Sequence, residues 1–127
     1  MFLHGFTDSA DSFIINGEMS QAFIAAREGY DVWLPNFRGN KHSMAHQTLN
    51  STFDLEYWHR AIAFKAAKYD LPAFINFAKE KTGLDKLTIV AHSLGTQQMF
   101  YGMITNKTYF NKNVNLLIAE GPFSKGT

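Results

Sequence analysis

The stretch LTIVAHSLGTQQMFYGM, Leu87 to Met103, decides the fold. Leu87 to Ala91 is a short apolar, partly β-branched run that reads as a buried strand. It passes directly through His92, Ser93, Leu94 and Gly95 into a helical stripe at Thr96, Met99, Phe100 and Met103. The order is strand, sharp turn, helix. The pentapeptide Ala91-His92-Ser93-Leu94-Gly95 is a variant of the GxSxG turn, with Ala in place of the first Gly. A nucleophilic serine must lift its hydroxyl clear of the end of a strand, so the turn is tight and strained, and the residues two before and two after it are small. The helix that follows aims free N–H groups and the positive end of its dipole at the point where an oxyanion would form. The Leu94 N–H is the natural first donor. Composition alone produces such a pentapeptide in roughly one chain in ten of this size, so its place between strand and helix carries the reading. The alternative is a buried serine in an ordinary turn.

Working outward, the punctuation and periodicity alternate strand with helix. Met1 to Leu3 reads as the tail of a strand, and His4-Gly5-Phe6 after it lets backbone amides turn toward Ser93, with the Phe6 N–H as second donor. His4 reads as an orienting hydrogen-bonding residue rather than a proton carrier, and His92 as structural. Met19, Ala22, Phe23 and Ala26 share one helix face that Gly29 ends. Tyr30 to Leu34 reads as a strand closed by Pro35, and the polar segment from Asn36 to about Thr52 as a long loop. Phe53 to Lys68 reads as helix or irregular helical turn, with Trp58, Ile62 and Lys65 on one side. Asp70 is placed to cap a helix with Pro72 in its first turn, the stripe Leu71, Phe74, Ile75 and Ala78, and Gly83 at its end. After a polar stretch from Asn106 to Asn113, Val114 to Ala119 gives a last strand, stopped by Gly121 and Pro122. The pattern predicts an α/β fold of about four mainly parallel strands flanked by helices, in a single domain over residues 1–127.

Composition sets the outer limits. The 127 residues are 46% hydrophobic and 15% aromatic, enough for one core. Twelve Lys plus Arg against 11 Asp plus Glu leave a formal charge of +1, which gives no electrostatic reason to expect nucleic acid or an anionic membrane. No cysteine is present, so disulfides and thiolate metal sites are excluded. No apolar run approaches the ~20 residues that cross a bilayer. Met1 leads straight into His4 and Gly5 with no secretory leader pattern, which fits either a cytoplasmic protein or a piece of a longer one.

With these residues in view, the chain resembles the acid lipases of the α/β-hydrolase fold, the group that includes gastric and lysosomal acid lipases. The resemblance is carried by HGFTDSADSFIING (His4 to Gly17), GYDVWLPNFRGN (Gly29 to Asn40), KYDLPAFINF (Lys68 to Phe77), KTG (Lys81 to Gly83), AHSLGT (Ala91 to Thr96) and AEGP ending at Pro122. It implies a hydrolase of neutral lipid esters, triacylglycerol or cholesteryl ester, working through a Ser, Asp and His triad without metal or cofactor. Ser93 would be the nucleophile, and Phe6 and Leu94 would give the oxyanion-hole amides. The family usually carries Gly at the position of Ala91 and Gln at that of Leu94; the second change keeps the backbone donor and alters the pocket wall. Arg38, in the Asn36 to Asn40 segment, reads as structural. A complete protein of this type would be lysosomal or secreted, which is the setting in which the acceptor sequons at Asn50 and Asn106 gain meaning.

Serine hydrolysis also needs a base and an orienting carboxylate, which in this fold follow the serine in the order acid, then His. After Ser93 the sequence holds no Asp, no His and only Glu120 as an acid. His4, His42, His46 and His59 all precede the turn, and no spacing recommends His42 or His46 as a substitute. By the resemblance, the chain is a partial α/β-hydrolase core whose early strands, lid and last strands belong to further chain or to a partner. The rival expectation is a non-catalytic hydrolase-like fragment or lipid-binding module that keeps the turn without the base.

Overall fold

A computed structural model of the chain describes residues 1–60 and 63–123. At its centre lies β2 (Leu87–His92), flanked by β1 (Phe2–Leu3) and β3 (Val114–Glu120) in the order β1-β2-β3, both pairings parallel. Register places Leu3 beside Ala91 and Phe2 beside Val90. Because side chains alternate across a strand, these pairs feed two separate clusters. Leu3, Leu87, Ile89 and Ala91 pack with Leu71, Ile75 and Ala78 of α4 (Leu71–Thr82), Met99 of α5 (Leu94–Thr105) and Phe110 of α6 (Lys107–Asn113). On the opposite face Phe2 packs with Phe13, Ala22 and the partly buried Val32, Leu34 and Val90. The sheet is therefore packed on both faces, as an α/β layer arrangement requires.

Among the described residues three strands form, where about four were expected. Tyr30 to Leu34 runs alongside β1, and the Phe2 N–H donates to the Trp33 carbonyl at 2.9 Å. A parallel ladder continues from that bond either through the residue 35 N–H to the Phe2 carbonyl or through the Trp33 N–H to the carbonyl of a residue before Met1; residue 35 is proline and Met1 is the first residue described, so one bond joins the two segments.

The helices show similar departures. A 3-10 turn (Gly17–Met19) precedes α1 (Gln21–Arg27), and the helix buries its small residues: Ala22 is inside and Ala25 partly so, while Met19 and Phe23 of the expected stripe are 80% and 43% exposed. Gly29, at φ +88°, ends the helix as read. The Phe53 to Lys68 region contains α2 (Leu55–Arg60), α3 (Ala63–Lys65) and a π-helical turn over Ala66–Asp70; Ile62 lies outside the described residues. Asp70 does not cap α4, since its backbone is already helical and its carboxylate is engaged by Arg38. Gly83, at φ +72°, does end that helix. The polar Asn106 to Asn113 stretch is mostly α6, begun by the Asn106 side chain accepting the Tyr109 N–H and anchored where the Phe110 ring lies against Gly102.

Candidate active site

Ser93 stands between β2 and α5 at φ +50°, ψ −115°, the one non-glycine residue with positive φ among those described. A serine held there is strained, and the backbone around it is braced on both sides. Its N–H donates to the Glu120 carbonyl of β3 at 3.0 Å. Its carbonyl accepts from the Thr96 N–H at 2.9 Å and the Thr96 hydroxyl at 2.6 Å. The Ser93 hydroxyl, half-buried, has no hydrogen-bond partner among the described residues. Strain is thus carried by the main chain while the side chain stays free.

The small residues of the turn have separate jobs. Ala91, within β2, is fully buried. Gly95 lies against the end of β1 so closely that a Cβ there would meet the Leu3 carbonyl oxygen at 2.8 Å and that of His4 at 3.0 Å. Gly5 is the matching gap on the other side, since a Cβ on it would come within 3.4 Å of the Ser93 Cβ. The chain leaving β1 therefore runs directly over the serine turn. Phe6 and Leu94 line one cavity of about 950 Å3, and neither backbone N–H has a partner among the described residues. Ser93 is not among the residues lining that cavity. It sits at the edge, between Leu94 on one side and Gly5 on the other.

A polar network holds the Gly5–Phe6 turn. His4 is buried; its Nδ1 lies 2.8 Å from the Gly5 carbonyl, and its Nε2 accepts the Phe37 N–H at 3.1 Å. An amide N–H can only donate, so the hydrogen sits on Nδ1 and the ring is neutral. Burial holds the His4 pKa below its ordinary value, opposed by the Gly5 carbonyl and by Asp8. Asn40 donates to His4 Nε2 at 3.1 Å and to the Asn36 side chain, which also receives the Ala10 N–H at 3.0 Å. Arg38 binds Asp70 through Nε at 2.9 and 3.0 Å, reaching across 32 residues of sequence, and this hydrogen bonding raises the Arg38 pKa. These partners come from three of the segments quoted above for the family resemblance, so those segments meet in space.

No histidine bonds the Ser93 hydroxyl. His42 pairs with Asp11 at 3.0 Å, His46 accepts the N–H groups of Thr48 and Leu49, and the Glu120 carboxylate is held by Gln21 at 2.7 Å. Among the described residues no group of three His, Cys, Asp or Glu side chains could hold a metal ion. Sequence reading passed over Gln98, a polar residue buried in the cavity wall. Its signal was its position four residues after Leu94, on the same helix face.

A parallel strand that breaks at a strained serine and reopens as a helix defines the α/β-hydrolase class of fold. A family model described as alpha/beta hydrolase fold matches residues 1–122. Human lipase member K is 44% identical over 120 residues, covering 94% of this chain and 29% of that protein. Rat gastric triacylglycerol lipase is 45% identical over 111 residues, 86% of this chain and 27% of its own length. Rat lysosomal acid lipase/cholesteryl ester hydrolase is 46% identical over 94 residues, 72% and 23% respectively. The chain belongs to the alpha/beta hydrolase fold family, within its acid lipase group. It spans less than a third of the length of these curated relatives.

Proposed function

We propose that the complete protein is a serine hydrolase of neutral lipid esters, triacylglycerol or cholesteryl ester, with Ser93 as nucleophile. The observation that carries this is the strained Ser93 backbone with its hydroxyl unpartnered beside two unpaired amides. In the reaction the Ser93 oxygen attacks the ester carbonyl carbon, and the oxyanion of the tetrahedral intermediate is received by the Phe6 and Leu94 N–H groups. Collapse expels the alcohol and leaves an acyl-serine, which water then hydrolyses. The base that takes the Ser93 proton, and the carboxylate that orients it, come from polypeptide beyond these 127 residues, as do strands that continue the sheet. Supporting this, β3 has no strand on its far side among the described residues, and Leu116 and Ile118 on it are 52% and 43% exposed, although strands of parallel sheets are normally covered. On this reading the 127 residues are one partial domain. No helix of the described residues is long and apolar enough to cross a membrane.

The lack of any Asp or His after Ser93 favours a second reading for the chain by itself, an inert hydrolase-like module. A fluorophosphonate probe applied to the complete protein separates a competent nucleophile from an inert turn. Labelling that appears on Ser93 by peptide mass and vanishes in Ser93→Ala supports a competent nucleophile. Complete, folded protein that stays unlabelled under prolonged exposure overturns it and leaves the inert module.

A further inference from the structure

We propose that a second cavity, with Ser43 and His46 in one wall and Lys65 and Tyr69 in the other, binds a phosphate monoester, carried by a soluble molecule or by a lipid headgroup. The cavity holds about 500 Å3, within the range of small-molecule sites. It meets the ester cavity at Arg38 and Gly39, which line both. Neither Phe6, Ser93 nor Leu94 lines it, so the inference stands apart from the ester-hydrolase reading.

Its walls carry donors with nothing to bind. His46 Nδ1 accepts the Thr48 and Leu49 N–H groups at 3.2 and 3.1 Å, so the ring hydrogen sits on Nε2, and that N–H has no partner among the described residues. The Lys65 ammonium and the hydroxyls of Ser43, Tyr57 and Tyr69 have none there either. Tyr57 is 5% exposed, but the sealed and unpaired side-chain atoms belong to Ser20, Trp33 and Gln98, so the Tyr57 hydroxyl is open to the cavity. The His46 and Tyr57 rings meet edge to face at 6.1 Å, and the Arg38 guanidinium stands 5.8 Å from the centre of the Tyr69 ring. Asp70, the carboxylate in the lining, is engaged through both oxygens by Arg38. That pair is neutral, and Lys65 leaves the cavity positive. An apolar guest would strip water from these donors and return no bonds. A carboxylate offers two oxygens, whereas a phosphate monoester offers three and close to twice the charge. Ala45 and Phe74 complete the wall beside the carbon that bears the phosphate.

The test is made on the complete protein. Calorimetric titration with inorganic phosphate, glycerol 3-phosphate and acetate at matched ionic strength reads the soluble ligands. Flotation with phosphatidylcholine vesicles, with and without phosphatidic acid, reads the headgroup. Glycerol 3-phosphate is expected to bind about tenfold more tightly than acetate. Lys65→Met removes the charge from an exposed helical position and weakens it about tenfold, and Tyr57→Phe removes one hydroxyl and weakens it about fivefold, both with helical circular dichroism retained. Lys68→Met takes away the ammonium 5.1 Å from the Tyr69 ring, outside the cavity lining, and changes affinity by no more than about twofold. Binding in solution without flotation assigns the phosphate to a soluble molecule; flotation that needs phosphatidic acid and is lost in Lys65→Met assigns it to a lipid. No binding in any arm, acetate binding as tightly as the phosphates, or equal weakening by Lys65→Met and Lys68→Met overturns the site. Labelling of Ser93 is read separately and is unmoved by any of these results.

Discussion

Substituting Gly95 by Ala tests whether the close approach of α5 to β1 holds the site together. The added methyl would sit 2.8 Å from the Leu3 carbonyl oxygen, about 0.6 Å inside the 3.4 Å at which ordinary contact begins. Both nearby oxygens belong to the main chain, so neither can swing aside as a side chain would. Relief requires moving β1 or the first turn of α5. Overpacking of this kind costs about 1–3 kcal/mol, while exchanging Gly for Ala inside a helix returns up to about 1 kcal/mol. The net expectation is a loss of about 1–2 kcal/mol, seen as a fall in thermal midpoint of about 4–10 °C for a chain of this size. Gly5→Ala is a built-in comparison. Its methyl would meet the His92 Nδ1 at 3.2 Å, and that exposed ring can turn away, so the loss there is smaller. Ala91→Gly removes a buried methyl that already fits, and costs about 0.5–1 kcal/mol. The assay is thermal unfolding of the four proteins followed by near-ultraviolet circular dichroism. A Gly95→Ala midpoint within 1–2 °C of wild type, by the scale just used, or a larger loss in Gly5→Ala, would show that the approach of backbone to backbone does not constrain this turn.

Two further outcomes follow from the polar network. Arg38→Met leaves the Asp70 carboxylate, whose side chain is 10% exposed, with only the residue 38 backbone N–H at 3.2 Å; Arg38 itself is 37% exposed, which lowers the expected loss to about 2 kcal/mol. Denaturant titration should show the double variant Arg38→Met with Asp70→Leu recovering much of that loss, and a double variant as unstable as the single one would refute the explanation. His4 has its folded pKa depressed by burial, so between its ordinary value of 6.5 and the lower folded value the unfolded chain binds the extra proton. The contribution is complete above pH 6.5, is lost as the pH falls through that window at no more than about 1.4 kcal/mol per pH unit, and then levels off. His4→Gln keeps an acceptor for the Phe37 N–H and removes the titration. Thermal midpoints from pH 7.5 to 4.5 should therefore converge for the two proteins toward acid, and parallel curves would exclude His4 as the source.

Legibility in the sequence followed the range of the interactions. The β2 to α5 passage could be read because strand, turn and helix are contiguous and each has its own period. The glycines at 29 and 83 could be read because a left-handed residue after a helical stripe is a local event. The strand expected at Tyr30 to Leu34 is joined to β1 by one bond, and only the register against Phe2 reveals that Pro35 falls where the next donor would stand. The helix α6 was missed because its anchor, Phe110 against Gly102, is a tertiary contact that no polar run of sequence announces. Asp70 looked like a cap because its sequence neighbours are those of a helix start, while its true partner lies 32 residues away. For α1, the larger apolar residues suggested the inner face. Close packing against Phe13 instead selected the alanines, which let the helix come near.

The two amides proposed to receive the oxyanion are secured by different means. Leu94 follows Ser93 in the chain, and the bonds from Ser93 to Glu120 and Thr96 fix it wherever the serine is fixed. Phe6 has no such tether. Its position depends on Gly5, whose carbonyl His4 holds, and His4 is in turn held by Phe37 and Asn40. The neighbouring Arg38 is pinned to Asp70 at the head of α4. On the proposed mechanism, damage along this relay acts on one donor and spares the other, so the serine keeps its geometry while the stabilisation of negative charge is weakened. Loosening the relay therefore slows acyl transfer without unmaking the nucleophile, because His4, Asn40 and Arg38 join the Gly5–Phe6 turn to the helix layer behind it.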